Sequence, residues 1–455
     1  MGLNKRQRRS WKRINRSILS NNQLLTAVAL LLMIAGASGQ SRSTKAAAHD
    51  HLRFTLILSR HGVRPPLVAN TALNLYSSDP WPVWEVPPGN LTPHGAVAIQ
   101  KMGAYMRLEF ARQGLLPDSG CPLNDEIYLE SDTDERNIES TRATIAGLEP
   151  DCEHPAIHVG AAAGARDPLY TAIPLLFPPP SQDAVEADER ARLGSDPEAF
   201  YALAANPALN VFARILAPNP DHPADRPILD NPRPLSVAST PIEDILLEYV
   251  DNKPMSEVGW GRIDESTLRH LIPLHTKQFT ASTRTPLTAR TQGSNLMAHM
   301  LWTLEQAAQS GESKAVQGAI GPPDARLVYL SGHDSNLNYI GGLLNVHWTA
   351  DGRTDDTPPD SQIVFELWQN SQTKGYSVRL RFRAQSIDQL RSGEDLSLGN
   401  PPAEVNVTPP GCQANHQCPF SRFDRAVHGL LDPAYVKTEL PAMREVASSP
   451  IIVIK

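Results

Sequence analysis

The sequence predicts an α/β fold, and two observations carry that prediction. A β-rich apolar run that stops at a polar loop and gives way to a helical stretch occurs three times, each time with charged residues at the strand's C-terminal end. In an open α/β sheet that end is where ligands bind. The second observation is composition: 455 residues, 41% hydrophobic and 20% charged, can build one large core or two moderate ones. Such a chain is neither a disordered tail nor a multi-span membrane protein. Proline is abundant, 40 residues, roughly 9% against a usual ~5%. Runs such as Pro178-Pro179-Pro180 therefore announce long, stiff loops.

In chain order, the first feature is charge. Lys5, Arg6, Arg8, Arg9, Lys12, Arg13 and Arg16 precede any acid, and without these seven the formal charge moves from -7 to -14. The body is acidic and offers no footprint for nucleic acid or an anionic membrane, so an anionic ligand needs a local cluster of cations. The basic start runs into Leu24 to Ala37, apolar or small, and then Ser38-Gly39-Gln40. That is the layout of an export signal, expected over residues 1–39 and removed, with a cut anywhere up to 48. A membrane anchor is the alternative, but a span needs ~20 apolar residues.

Export makes the four cysteines readable as two disulfides, for which three pairings exist. We take Cys121 with Cys152 and Cys412 with Cys418. The first closes a segment of 31 residues and contributes ~3 kcal/mol in the chain-entropy model, the second less. A zinc site has little support, because no C-x-x-C pair stands near two histidines.

The elements follow. Arg53 to Ser59 is a strand that stops at Arg60-His61-Gly62, where the glycine permits a sharp turn. Thr92 and Pro93 open a helix with Ala96, Ile99, Met102, Met106 and Phe110 at helical spacing. Glu126 to Glu130 is a strand, followed by Asp134-Glu135-Arg136 and a helix to about Leu148. Leu327 to Leu330 is a third strand, ending at Ser331-Gly332-His333-Asp334 before a helix from Asn336 to Leu344. Between them, residues 178–284 lack strand alternation and carry helical stretches such as Pro241 to Val250 and Leu268 to Thr280. They read as a helical cap inserted between the halves 50–177 and 285–440 of a catalytic domain. Ile363 to Trp368 and Tyr376 to Phe382 return to β texture, as a pair at the sheet edge.

The chemistry rests on Arg60, His61, Arg64, Arg136, His333 and Asp334, which stand at three strand ends. Arginines converging on an imidazole repel one another unless an anion satisfies them, which makes the set a poor structural element and a good phosphate cradle. The guanidinium fork binds phosphate oxygens, an unprotonated histidine nitrogen is a nucleophile, and Asp334 is an acid for the leaving alkoxide. No metal or other cofactor is needed, because the guanidiniums already neutralise the phosphate. The run His49-Asp50-His51 suggests a metal, but it lies beside the cleavage region and reads as irregular polar chain.

Arg60-His61-Gly62-Val63-Arg64-Pro65-Pro66 together with Gly332-His333-Asp334-Ser335-Asn336 resembles the histidine acid phosphatases (histidine phosphatase superfamily, branch 2). The order and separation resemble the bacterial periplasmic branch that holds phytase and glucose-1-phosphatase, over about Phe54 to Leu431. Gly259-Trp260-Gly261-Arg262-Ile263 and Thr357-Pro358-Pro359 are further similar pieces. The resemblance implies a phosphoglycerate-mutase-like sandwich: a central mixed, mainly parallel sheet flanked by helices, with the smaller helical cap. It implies His61 as the nucleophile that becomes phosphohistidine, Asp334 as proton donor, and Arg60, Arg64, Arg136 and His333 as phosphate binders. The cysteine spacing also resembles two disulfides of that branch. The implied protein is a monomeric, periplasmic or secreted acid phosphatase acting on a small phosphomonoester, with no nucleic-acid partner and no membrane span after processing. A mutase-like phosphotransferase and a non-catalytic phosphate binder are the alternatives. The first is usually cytosolic, and the second would have lost His61 or Asp334.

The outer pocket departs from the phytase pattern. Leu67-Val68 stand where those relatives have Thr-Lys, and Gln292 stands where they have an arginine, so phytate is expected to be a weak substrate. Lys277 and Arg284 are the cations that could compensate from the cap.

Overall fold

The computed structural model describes residues 50–448 apart from 163, 195–196, 203–205, 310–313 and 415–416. The expected signal, with His49, lies outside the described residues. Asp50 and His51, read as irregular, instead open strand β1 (Asp50–Arg60), where they pair with Asn370 and Gln369.

Strand β1 is the spine of a nine-stranded mixed sheet. Phe54, Leu56 and Leu58 enter one core and Leu52 and Ile57 the other, so the apolar run is buried on both faces. On one side β1 runs parallel to β4 (Leu327–Gly332), which runs parallel to β2 (Ile127–Ser131), and β2 is parallel to β3 (Ile157–Val159). On the other side it pairs antiparallel with β5 (Gln362–Asn370), which pairs with β6 (Tyr376–Ala384). The expectation of β5 and β6 as an edge pair is corrected here. β5 is interior against β1, and β6 carries β7 (Ala403–Val407) and β8 (Cys418–Pro419), while β9 (Arg444–Val446) covers β3 at the far edge.

Helices cover both faces. On one, α1 (Pro93–Arg112) packs against α2 (Glu135–Leu148). Their axes approach closely because Gly103 and Gly147 have no side chain: a Cβ on Gly103 would meet the Thr144 carbonyl. The N-terminus of α1 is capped as expected, the Thr92 hydroxyl accepting from the Gly95 amide at 2.9 Å. Residues 178–284 carry no strand among the described residues and form the helices α3 (Gln182–Leu193), α4 (Pro207–Leu216), α5 (Pro234–Val250) and α6 (Glu265–Thr283). Their Leu209, Phe212, Ile242, Leu246 and Leu271 share one apolar cluster with Val63, Leu73, Trp81, Ala98, Ile387 and Leu390 from the flanking parts of the chain. Helices α7 (Pro286–Ala307), α8 (Asp334–Leu343) and α9 (Phe420–Leu430) cover the other face.

Both expected disulfides form. Cys121–Cys152 ties the loop before β2 to the chain just after α2, and Cys412–Cys418 closes the loop between β7 and the short β8, which itself pairs with β6. No helix among the described residues is long and apolar enough to cross a membrane.

Candidate active site

Register brings the site together. Arg60 of β1 lies opposite Gly332 of β4, and Ser131 of β2 lies opposite Ser331, so three strands end side by side. The exits are pinned as well: the His61 amide donates to the Gly332 carbonyl at 3.1 Å and the Asp132 amide to the Ser331 carbonyl at 2.9 Å. Gly62 is needed for space rather than for a turn, because a Cβ there would stand 2.5 Å from Ile99 Cδ1.

His61 is buried, and its Nδ1 lies 2.8 Å from the Gly62 carbonyl oxygen. A carbonyl only accepts, so Nδ1 carries the proton and Nε2 keeps its lone pair. Burial pushes the ring's pKa well below 6.5, and the cations Arg136, Arg60 and Arg64 push it further down. Both effects favour the uncharged ring, the form a nucleophile needs.

The His333 ring stands edge-on to His61, centroids 5.5 Å apart. Its Nε2 is 2.8 Å from Asp132 Oδ2, while its Nδ1 faces Arg136 at 3.5 Å. Burial opposes ionisation of Asp132, but its bonds with His333 and Thr133 win and hold the carboxyl below the usual range. The ring is thus oriented from behind by a carboxylate. Asp334, in the first turn of α8, accepts from the Ser335 amide at 2.7 Å and lies 2.9 Å from Arg60.

The arginines are not left to repel one another, which corrects the premise drawn from sequence. Arg60 donates to Glu243 and to the Thr357 carbonyl, both at 2.5 Å, and touches Asp334. Arg64 faces the other oxygen of Glu243 at 3.5 Å, and Arg136 pairs with Asp134 at 2.6 Å. Glu243 comes from α5, and its carboxyl is driven far below the usual range by Arg60 and Arg64 despite its burial. Sequence reasoning missed it, since one acid in the run Ile242-Glu243-Asp244 gives no sign that it points into a site.

His61, Arg64, Arg136, His333 and Asp334 open onto one cleft of about 440 Å³ that Leu67, Thr133, Arg166, Thr171 and Ser335 also line. Arg60 lies behind it, 3% exposed. Val68 faces an adjoining groove with Trp84 and Val86, and Gln292 lines neither. Arg284 does not reach the mouth: it is buried, bound to Asp355 at 3.1 Å and to the Val346 carbonyl, and stacked on Trp348. Lys277 lies over the Phe200 ring and does not line the cleft. Asp132, Asp134 and His333 are close enough to share a metal ion. Each is already engaged, and the Arg136 guanidinium beside them opposes a second cation.

A family model for the histidine phosphatase superfamily (branch 2) matches residues 51–188 and 248–383. The chain belongs to that superfamily. Phytase AppA of Escherichia coli (strain K12) is 30% identical over 434 residues, 90% of this chain and 98% of that protein. Glucose-1-phosphatase of Salmonella typhimurium is 27% identical, covering 88% and 98%. The structure of Hafnia alvei phytase in complex with tartrate superposes with a TM-score of 0.76 at 30% identity, over 86% of this chain and 99% of the other. This histidine phosphatase is accordingly a phosphomonoesterase of the acid phosphatase type. The stretch between the two matched parts, residues 189–247, is the one that supplies Glu243.

Proposed function

We propose that His61 is the phosphate acceptor of a two-step hydrolysis, that Asp334 is its acid and base, and that the substrates are small phosphomonoesters of broad structure. The observation that carries this reading is the His61 ring: its proton is fixed on Nδ1 by the Gly62 carbonyl and its charge is suppressed by burial and neighbouring cations.

In the first step Arg60, Arg64, Arg136 and His333 hold the equatorial oxygens of the phosphoryl group. His61 Nε2 attacks phosphorus opposite the ester oxygen; the N–P bond forms as the P–O bond breaks, and the Asp334 carboxyl gives its proton to the departing oxygen. In the second step water attacks the phosphohistidine, the Asp334 carboxylate takes the water proton, and inorganic phosphate leaves with His61 restored. An entering dianion competes with Asp334 for Arg60, so the same contact links substrate binding to the acid.

Residues 178–284 act as the cap over this cleft, and the reach of Glu243 to Arg60 and Arg64 supports that role. The protein works outside the cytoplasm after removal of its basic and apolar start, a reading supported by two disulfides. Phytate is a weak substrate, because each outer phosphate needs a cation to replace the water it loses, whereas Leu67 and Val68 offer none.

Rapid mixing with labelled substrate after chelator treatment, quenched in alkali, tests the mechanism. A phosphoprotein that is stable in alkali and labile in acid, and that vanishes in His61→Ala, is expected. Turnover with no trapped phosphoprotein, or turnover that needs added zinc or magnesium, overturns it.

A further inference from the structure

Arg166 is the one cation lining the cleft that the proposed hydrolysis does not use. It is exposed, and among the described residues its guanidinium has no hydrogen bond or ion pair, unlike those of Arg60, Arg64 and Arg136. Asp167, its neighbour in the chain, and Asp134, on the same cleft lining, are committed elsewhere. Asp167 is buried, with its carboxylate accepting from the Gly160 amide at 2.6 Å and the Leu169 amide at 2.9 Å, while Asp134 is paired with Arg136.

The backbone around Arg166 is firmly held. The Ala165 carbonyl accepts from the Thr133 hydroxyl at 2.5 Å, and the Asp167 carbonyl accepts from the Thr171 amide at 2.8 Å. Thr133 and Thr171 themselves line the cleft. An uncompensated guanidinium thus projects from a fixed base, on the wall formed after β2 and β3. Leu67, 57% exposed, gives the β1 wall an apolar surface.

We infer that Arg166 holds a second, non-transferred phosphate of the substrate, so that small bisphosphorylated esters are preferred over the matching monophosphates. The inference rests on the reading of this cleft as the site of phosphoryl transfer, and it sharpens that reading by naming a substrate class. A planar fork facing a phosphate makes a charge-assisted contact, and because the outer phosphate does not change during transfer, ground state and transition state gain alike. The signature is a change in KM without a change in kcat.

The test compares glucose 1-phosphate with glucose 1,6-bisphosphate at fixed ionic strength, in the unmodified protein, Arg166→Ala and Arg166→Lys. The unmodified protein should favour the bisphosphate. Arg166→Ala should raise KM for the bisphosphate about tenfold and leave its kcat and both glucose 1-phosphate constants nearly unchanged, with Arg166→Lys recovering part of the loss. Equal losses on both substrates, or no loss on either, overturn the second-phosphate site while leaving the hydrolase intact. If the unmodified protein releases phosphate from neither sugar nor from p-nitrophenyl phosphate, the reading of the cleft falls and this inference falls with it.

Discussion

The floor and the rim of the cleft are built differently. At the floor, Arg60, Arg64 and Arg136 each meet a carboxylate, His61 is fixed by a carbonyl and His333 by Asp132. At the rim, Leu67, Val68 and Arg166 are exposed. Buried ion pairs fail as units, since removing one member strands the other, whereas an exposed side chain changes with little consequence for folding. Reaction chemistry is therefore constrained from several directions at once, and substrate preference is free to drift.

The largest effect that can break this comparison is at the nucleophile. His61→Ala should bring turnover near background, a loss of ~5 kcal/mol or more in transition-state stabilisation; steady-state rates on any good substrate check it, and undiminished activity removes the floor from the mechanism. Asp334→Asn comes next. With glucose 1-phosphate, whose leaving oxygen needs a proton, kcat should fall about 10²- to 10⁴-fold, and with p-nitrophenyl phosphate far less. Equal losses on both substrates contradict its role as the acid.

Glu243→Gln keeps the shape but removes the charge that holds two arginines, and should lower unfolding free energy by about 3 kcal/mol, the lower end for a broken buried pair. Denaturant titration decides it, and a change under ~0.5 kcal/mol would place Glu243 with the tolerant rim. At the rim itself, Leu67→Lys with Val68→Lys should leave the melting temperature alone and raise the phytate to glucose 1-phosphate rate ratio about tenfold, or ~1.4 kcal/mol. An unchanged ratio shows that cations at these positions do not reach the substrate.

The smallest effect concerns pH. Burial pushes Glu248 up to about 8 and Asp167 up to about 6, so the folded protein holds protons that the unfolded chain releases. Their stabilisation is complete below the unfolded carboxyl value of ~4.3 and is lost as pH rises toward 8. Glu109, Asp132 and Glu243, all held low, stay ionised across that window and add no slope. The melting temperature should thus fall by about a few degrees between pH 7 and 8, above the unfolded imidazole value of ~6.5 where the neutral His61 no longer opposes the fall, and Glu248→Gln should flatten it. A melting temperature that rises over this range contradicts the burial of these protons.

The floor was largely legible in the sequence because parallel strands end in register: a motif after β1 and another after β4 must meet. Glu243 was not, standing 183 positions from Arg60 in a helix where it reads as one more polar residue. Strands β3, β8 and β9 escaped notice because two or three residues are too few to show alternation. The position of β5 was misjudged for a related reason. Texture identifies a strand, but only the partner across the sheet places it, and for β5 that partner is β1.

Strand β1 has a consequence for how the molecule comes into being. It is the first element of the described body to be synthesised, yet both its neighbours, Leu327–Gly332 and Gln362–Asn370, arrive late in the chain. Until then an apolar ribbon stands without hydrogen-bonding partners on either edge, and closing it requires loops of great length. Such a topology folds slowly and after most of the polypeptide is available. On the proposed export route that delay keeps the chain extended while it passes. The same interval exposes it to aggregation, so its yield should respond to temperature and to holding chaperones more steeply than that of a protein whose first strand pairs with its second.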